Sequence, residues 1–132
     1  MIPFDYLQKA PEIRRRERGR KAYDFGLSAE ASVARLYQNR GYDLLEERWR
    51  SSAGEIDLIF RKGAEVVFVE VKASKSFAAA ASHLGPKQIG RLCAGAEAYI
   101  GALPTGLLTP MRIDLALVDG IGQVEILENA LM

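Results

Sequence analysis

Asp57, Glu70 and Lys72 are the residues of this chain whose types and spacing could do chemistry together. They lie in two short apolar runs, G-E-I-D-L-I from Gly54 and V-F-V-E-V-K from Val67. Side chains alternate across a strand, so Glu55, Asp57, Ile59 and Arg61 share one face, and Ile56, Leu58 and Phe60 share the other. On the next run Val66, Phe68, Glu70 and Lys72 share a face opposite Val67, Val69 and Val71. A tight two- or four-residue turn centred on Lys62-Gly63 pairs residues whose numbers sum to 125. Glu55 then faces Glu70, Asp57 faces Phe68, and Asp57 lies diagonal to Glu70, roughly 7–8 Å away at the backbone. A three-residue loop would break this parity. One face is thus expected to be wholly apolar, and the other apolar near the turn and acidic at the far end. Clustered carboxylates repel, and one is driven to hold a proton. A divalent cation removes that repulsion, and hard oxygen ligands suit magnesium or manganese. A lone E-x-K on a strand is more often an ordinary surface ion pair. The combination of G-E-I-D-L, V-F-V-E-V-K and their apolar flanks favours a site.

The elements that position these residues read as follows. A helix spans about Lys21 to Arg40 and ends at Gly41, a left-handed cap. Tyr23, Gly26, Leu27, Val33, Ala34, Leu36 and Tyr37 fall on one broad apolar arc. Glu30 lies near the middle of that arc, a costly placement without a partner, and is a candidate to pack over the acidic face. Three strands follow at about Tyr42–Arg48, Gly54–Arg61 and Glu65–Ala73. SKSFAAAASHLG reads as a loop or lid with weak helical tendency. Pro86 starts a second helix whose Gly90, Gly95 and Gly101 leave it dependent on packing. Met111–Val118 and Gln123–Leu127 read as a strand pair around Asp119-Gly120-Ile121-Gly122.

The bulk numbers fit one soluble α/β domain. The chain has 132 residues, 48% hydrophobic and 27% charged, with a formal net charge of +1. So small a net charge excludes a global electrostatic case for nucleic acid, and a basic face must be local. Seven basic residues stand against three acids in the first 21, leaving a mildly acidic body of 11 against 14. Residues 1–19 are therefore read as a basic arm before a domain at 20–132, either solvated or lying along phosphates. One cysteine forms no internal disulfide and one histidine makes no zinc spacing, which favours a reducing cytoplasm. No apolar run reaches a membrane span and the N-terminus lacks the order of a secretory signal.

Lesser candidates have ordinary readings beside functional ones. Lys87 and Arg91, a turn apart on the second helix, could meet phosphates with Lys75, although exposed helical charges are common. Trp49 between Arg48 and Arg50 could stack on bases or pack a strand end. His83 could assist a leaving group but reads as a surface histidine. Cys93 reads as core, and Arg112 with Asp114 as a structural ion pair.

The order G-E-I-D-L-I, V-F-V-E-V-K, then a proline-led helix carrying Lys87-Gln88, resembles the YraN-like bacterial family. That family is uncharacterised in function and is placed in the PD-(D/E)XK nuclease superfamily near the Holliday-junction resolvases. The resemblance runs from about Gly19 to Leu127. It implies a restriction-endonuclease-like αβββαβ core, a central mixed sheet flanked by helices, in which Asp57 and Glu70 bind Mg2+ or Mn2+ and Glu30 completes the shell. Lys72 would orient the attacking water or stabilise charge, and Gln88 would be an auxiliary site residue. The implied activity is endonucleolytic cleavage of DNA, including branched DNA, often by a homodimer. Ala73-Ser74 stands where the family often has Thr-Arg, which removes one phosphate contact. Ala29-Glu30 stands for its Gly-Glu. Two other readings use the same residues: a nucleic-acid-binding module that does not cleave, and an interaction protein whose acidic patch docks a basic partner.

Overall fold

The computed structural model describes residues 11–131, apart from the side chains of residues 11–19 and 22. Helix α1 (Pro11–Asn39) begins ten residues before the expected start, so the arginine-rich stretch from Arg14 to Arg20 lies on helix backbone. Residues 1–10 of the expected basic arm lie outside the described residues. The helix stops as its sequence predicts. Gly41 has φ +89°, Gly41 donates to the Gln38 carbonyl at 3.0 Å, and Tyr42 donates to that of Tyr37 at 3.1 Å. Those two bonds close a Schellman cap that only a left-handed residue accommodates easily.

Strands β1 (Asp43–Arg50), β2 (Glu55–Lys62) and β3 (Glu65–Ala73) form an antiparallel meander. A short helix α2 (Phe77–Ala81) and the longer α3 (Pro86–Gly101) then cross over to β4 (Met111–Val118), parallel to β3. β5 (Val124–Leu127) pairs antiparallel with β4 and completes a five-stranded mixed sheet in chain order. The supposed loop before α3 thus contains a turn of helix. The Ser76 side chain caps α2 by accepting from the Ala79 N–H at 3.1 Å, and Ala80 buries against Leu115 and Leu117.

The sheet is covered on both faces, as its apolar strands require. Ala29, Val33, Ala34 and Tyr37 of α1 pack on Leu58, Phe60, Val67, Val69, Ala116 and Val118. Leu92, Ala96 and Ile100 of α3 pack on Ile56, Ile59, Val66, Phe68 and Ile113. The interior of α1 is narrower than its apolar arc, because Tyr23 is 62% exposed.

Two expectations for the β2–β3 hairpin need correction. The turn is centred on Gly63-Ala64, not Lys62-Gly63: Lys62 pairs with Glu65 and Leu58 with Val69. Glu55 is therefore not opposite Glu70; it lies opposite Arg50 on β1. The shift is by two residues, so the cross-strand parity survives and Ile59, now opposite Phe68, shares its face; Glu70 follows Phe68 by alternation along β3. Nor do Ile56, Leu58 and Phe60 share one face, because Ile56 packs with Ile59 against α3 while Leu58 and Phe60 pack against α1. Alternation breaks between Ile56 and Leu58. There the register sets Asp57 opposite Arg48, whose φ of +48° turns β1 over at the same place.

Candidate functional site

The β2–β3 ladder stops at Leu58 and Val69. One residue further on, Asp57 replaces the missing backbone acceptor, its Oδ2 accepting from the Val71 N–H at 2.8 Å. The strands part at this point and hold the carboxyl at their fork. Glu70, only 4% exposed, meets Asp57 there. Glu70 Oε1 accepts from Gln88 Nε2 at 2.8 Å and lies 3.3 Å from Lys72 Nζ. Gln88 reaches it from the first turn of α3, where Gly85 precedes Pro86 at the helix start. The helix can approach because Gly54, at the mouth of β2, has no side chain; a Cβ there would stand 2.0 Å from the Arg91 carbonyl oxygen.

The electrostatics are those of a strained acidic pair. Burial, then the neighbouring Asp57 charge, pushes Glu70 up to about 7 in spite of Lys72. Burial also raises Asp57, opposed by the Val71 N–H and Lys72. Burial and mutual repulsion push both carboxyls towards the protonated form, because one lysine cannot neutralise both. Glu30 is half-buried, and burial raises it too, but Arg48 Nε lies 3.1 Å from its Oε2. Its expected cost therefore has a partner. Among the described residues no group of three or more acidic, histidine or cysteine side chains is placed to hold a metal ion. The donor set of the fork itself, two carboxylates with oxygens to spare, fits a hard cation that keeps much of its water, as magnesium does.

Two cavities meet at the fork. One, of about 330 Å³, lies on the α3 side between Glu55, Asp57, Glu70, Gln88, Lys87 and Arg91. The other, of about 250 Å³, lies on the α1 side and shares Glu55 and Asp57, with Tyr23, Glu30, Arg48 and Arg50 around it. The structure thus brings together Asp57, Glu70, Lys72 and Gln88, with Lys87 and Arg91 at the rim. Lys75 is exposed beyond the end of β3, its backbone beside Gly120, and lines neither cavity. Trp49 packs edge-on to Tyr99 at 5.3 Å, so the strand-end role is the one seen. Cys93 is partly buried against the α3-side core and His83 is exposed in its loop. Arg48 and Tyr23 were missed as site residues. The left-handed turn that aims Arg48 inward has no sequence signal, and Tyr23 looked like core.

These features define a mixed α/β protein with a buried acidic pair at a strand fork, flanked by cations. Its sequence matches the model of Uncharacterised protein family UPF0102 over residues 29–118, and the chain belongs to that family. A UPF0102 protein of Roseobacter denitrificans is 57% identical over 113 residues, which is 86% of this chain and 88% of that one. One from Ruegeria pomeroyi is 56% identical, covering 86% and 92%, and one from Dinoroseobacter shibae is 43% identical, covering 89% and 88%. Among the described residues no helix is long and apolar enough to cross a membrane.

Proposed function

We propose that this chain is a metal-dependent endonuclease of the PD-(D/E)XK type that hydrolyses phosphodiester bonds in DNA, including branched or otherwise structured DNA. The observation that carries the reading is the buried Asp57–Glu70 pair, with Lys72 Nζ 3.3 Å from Glu70, at the fork between β2 and β3. The element order supports a restriction-endonuclease-like core: a helix, three antiparallel strands, a helical crossover and a parallel strand, with a fifth strand added. Asp57 and Glu70 would hold Mg2+ or Mn2+, and Glu30 would join them once Arg48 lets go. The cation, when bound, would supply an acidified water and charge stabilisation at the phosphate. Gln88 fixes the Glu70 carboxylate, Lys72 orients the water, and Lys87 with Arg91 meets flanking phosphates. A cytoplasmic homodimer belongs to the same reading, since two sites suit a two-fold branched substrate.

The test is incubation with labelled linear, nicked and four-way DNA in magnesium or manganese, beside calorimetric titration with manganese. The parent should cleave at least one substrate and bind manganese, and Asp57→Ala should lose both. Cleavage by Asp57→Ala at the parental rate would assign the activity to a contaminant. One observation favours a second reading, a DNA-binding module without cleavage: Arg48 engages the third acid, Glu30. That module would show salt-sensitive DNA binding, indifferent to metal and to Asp57→Ala.

A further inference from the structure

Arg48 and Asn129 are the non-glycine residues with positive φ among those described. Such a backbone is disfavoured for arginine, and strained residues of this kind gather at sites where the strain serves a purpose. The turn at Arg48 carries its side chain off the sheet and over α1, where its guanidinium lies 5.9 Å from the centre of the Tyr23 ring. Tyr23 is large, apolar in its body and 62% exposed. One turn along α1, Gly26 leaves the adjoining space open, since a Cβ there would touch nothing within 4 Å. Tyr23, Gly26 and Arg48 all line the cavity that reaches Asp57. A ring, a guanidinium and an open slot are what a flat aromatic ligand needs in order to stack.

We propose that Tyr23 and Arg48 form a stacking platform for an unpaired nucleobase beside the phosphate held at the fork. The proposal rests on the nucleic-acid reading above and deepens it: the substrate is a strand with at least one base out of the helix, as at a flap, gap or branch. Base-paired nucleotides within continuous duplex have both faces covered and cannot use the platform. Arg50, beside the same cavity, adds a cation for the strand's backbone. Arg48 also ties the platform to the acidic site, because its Nε holds Glu30. A base stacking on Tyr23 competes for the guanidinium and frees that carboxylate.

The experiment uses the full chain with flap, single-stranded and continuous-duplex oligonucleotides carrying 2-aminopurine. Fluorescence is read with a chelator present, and cleavage with manganese. Parent and Tyr23→Phe should quench the unpaired 2-aminopurine and prefer it to duplex. Tyr23→Ala should bind it roughly tenfold more weakly and lose the preference. Gly26→Leu, which fills the slot beside the ring, should do the same, and thermal melting of both variants checks that they fold. Parental quenching and preference in Tyr23→Ala would overturn the platform, and the nuclease reading stands if the parent cleaves. Quenching that depends on Tyr23, with no cleavage in any metal, would keep the platform and remove the nuclease. No binding to any of the three DNAs in chelator, together with no cleavage in manganese, would overturn both.

Discussion

Two buried acids on this sheet have opposite surroundings. Asp114, on β4, is fully buried and saturated: Tyr37 Oη donates at 2.6 Å, Arg112 Nε and Nη2 at 2.9 and 3.2 Å, and the Asn129 N–H at 2.9 Å. Burial alone would lower Arg112, but its bonds to Asp114 and Tyr42 outweigh that and hold it firmly charged. Glu70, on the neighbouring strand, has Gln88, one lysine and a second carboxyl. The first acid ties α1, β4 and the C-terminal segment into one unit. The second, with Asp57 beside it, would carry more negative charge than Lys72 neutralises if both carboxyls were ionised. Burial of a charge is common to both, so burial does not mark a site; the unbalanced partner set does.

That contrast breaks most sharply at the saturated acid. Asp114→Ala leaves Arg112 and the Tyr37 hydroxyl without their shared partner, and should cost about 3–5 kcal/mol of stability. Urea unfolding measures it, and a loss under about 1 kcal/mol would mean that Asp114 is no structural knot. Glu70→Gln should act in the opposite direction. In chelator, Glu70 of the folded chain holds its proton more tightly than in the unfolded chain, where a glutamate titrates near 4.5. The parent is therefore unpenalised below about pH 4.5 and loses stability as pH rises towards about 7. Relative to the parent, the variant should gain up to about 3 kcal/mol across that window, the free-energy equivalent of a rise from 4.5 to about 7. Parallel stability curves for the two proteins would show that folding does not raise Glu70.

Much of this was legible because period and caps are local. The Gly41 stop of α1, the Pro86 start of α3 and the limits of β3 and β4 follow from single residues or from alternation. The face that Glu70 shares with Phe68 was legible too, because it follows from alternation along β3 whatever the register. Three things were not legible. The turn residue shifted from Lys62-Gly63 to Gly63-Ala64, since either pair can close a hairpin and the strand partners decide. The fork at Asp57 breaks the alternation that strand reasoning assumes, through a left-handed arginine no propensity would place there. Tyr23 sat on the apolar arc of α1 yet faces solvent, because the helix residues buried against the sheet begin at Ala29. The acid types were readable; the geometry that makes them a site lay in departures from regular structure.

The smallest predicted effect concerns how that geometry is held. Gly54 and Gly95 face each other where β2 enters beneath α3, and the two are not equivalent. A Cβ on Gly54 meets the Arg91 backbone at 2.0 Å, so strand or helix must move. A Cβ on Gly95 comes no nearer than 3.5 Å to Gly54 and Ile56, an ordinary contact. Gly54→Ala should therefore cost roughly 1–3 kcal/mol, as overpacking does. It should also weaken manganese binding, because Gln88 moves with α3 away from Glu70. Gly95→Ala replaces a glycine inside a helix and should be neutral or stabilising by about 0.5–1 kcal/mol. Thermal melting and manganese titration of the pair read both effects. Equal destabilisation by the two alanines would mean that the contact is merely crowded; opposite signs would show that the bare backbone of Gly54 sets α3 at the fork.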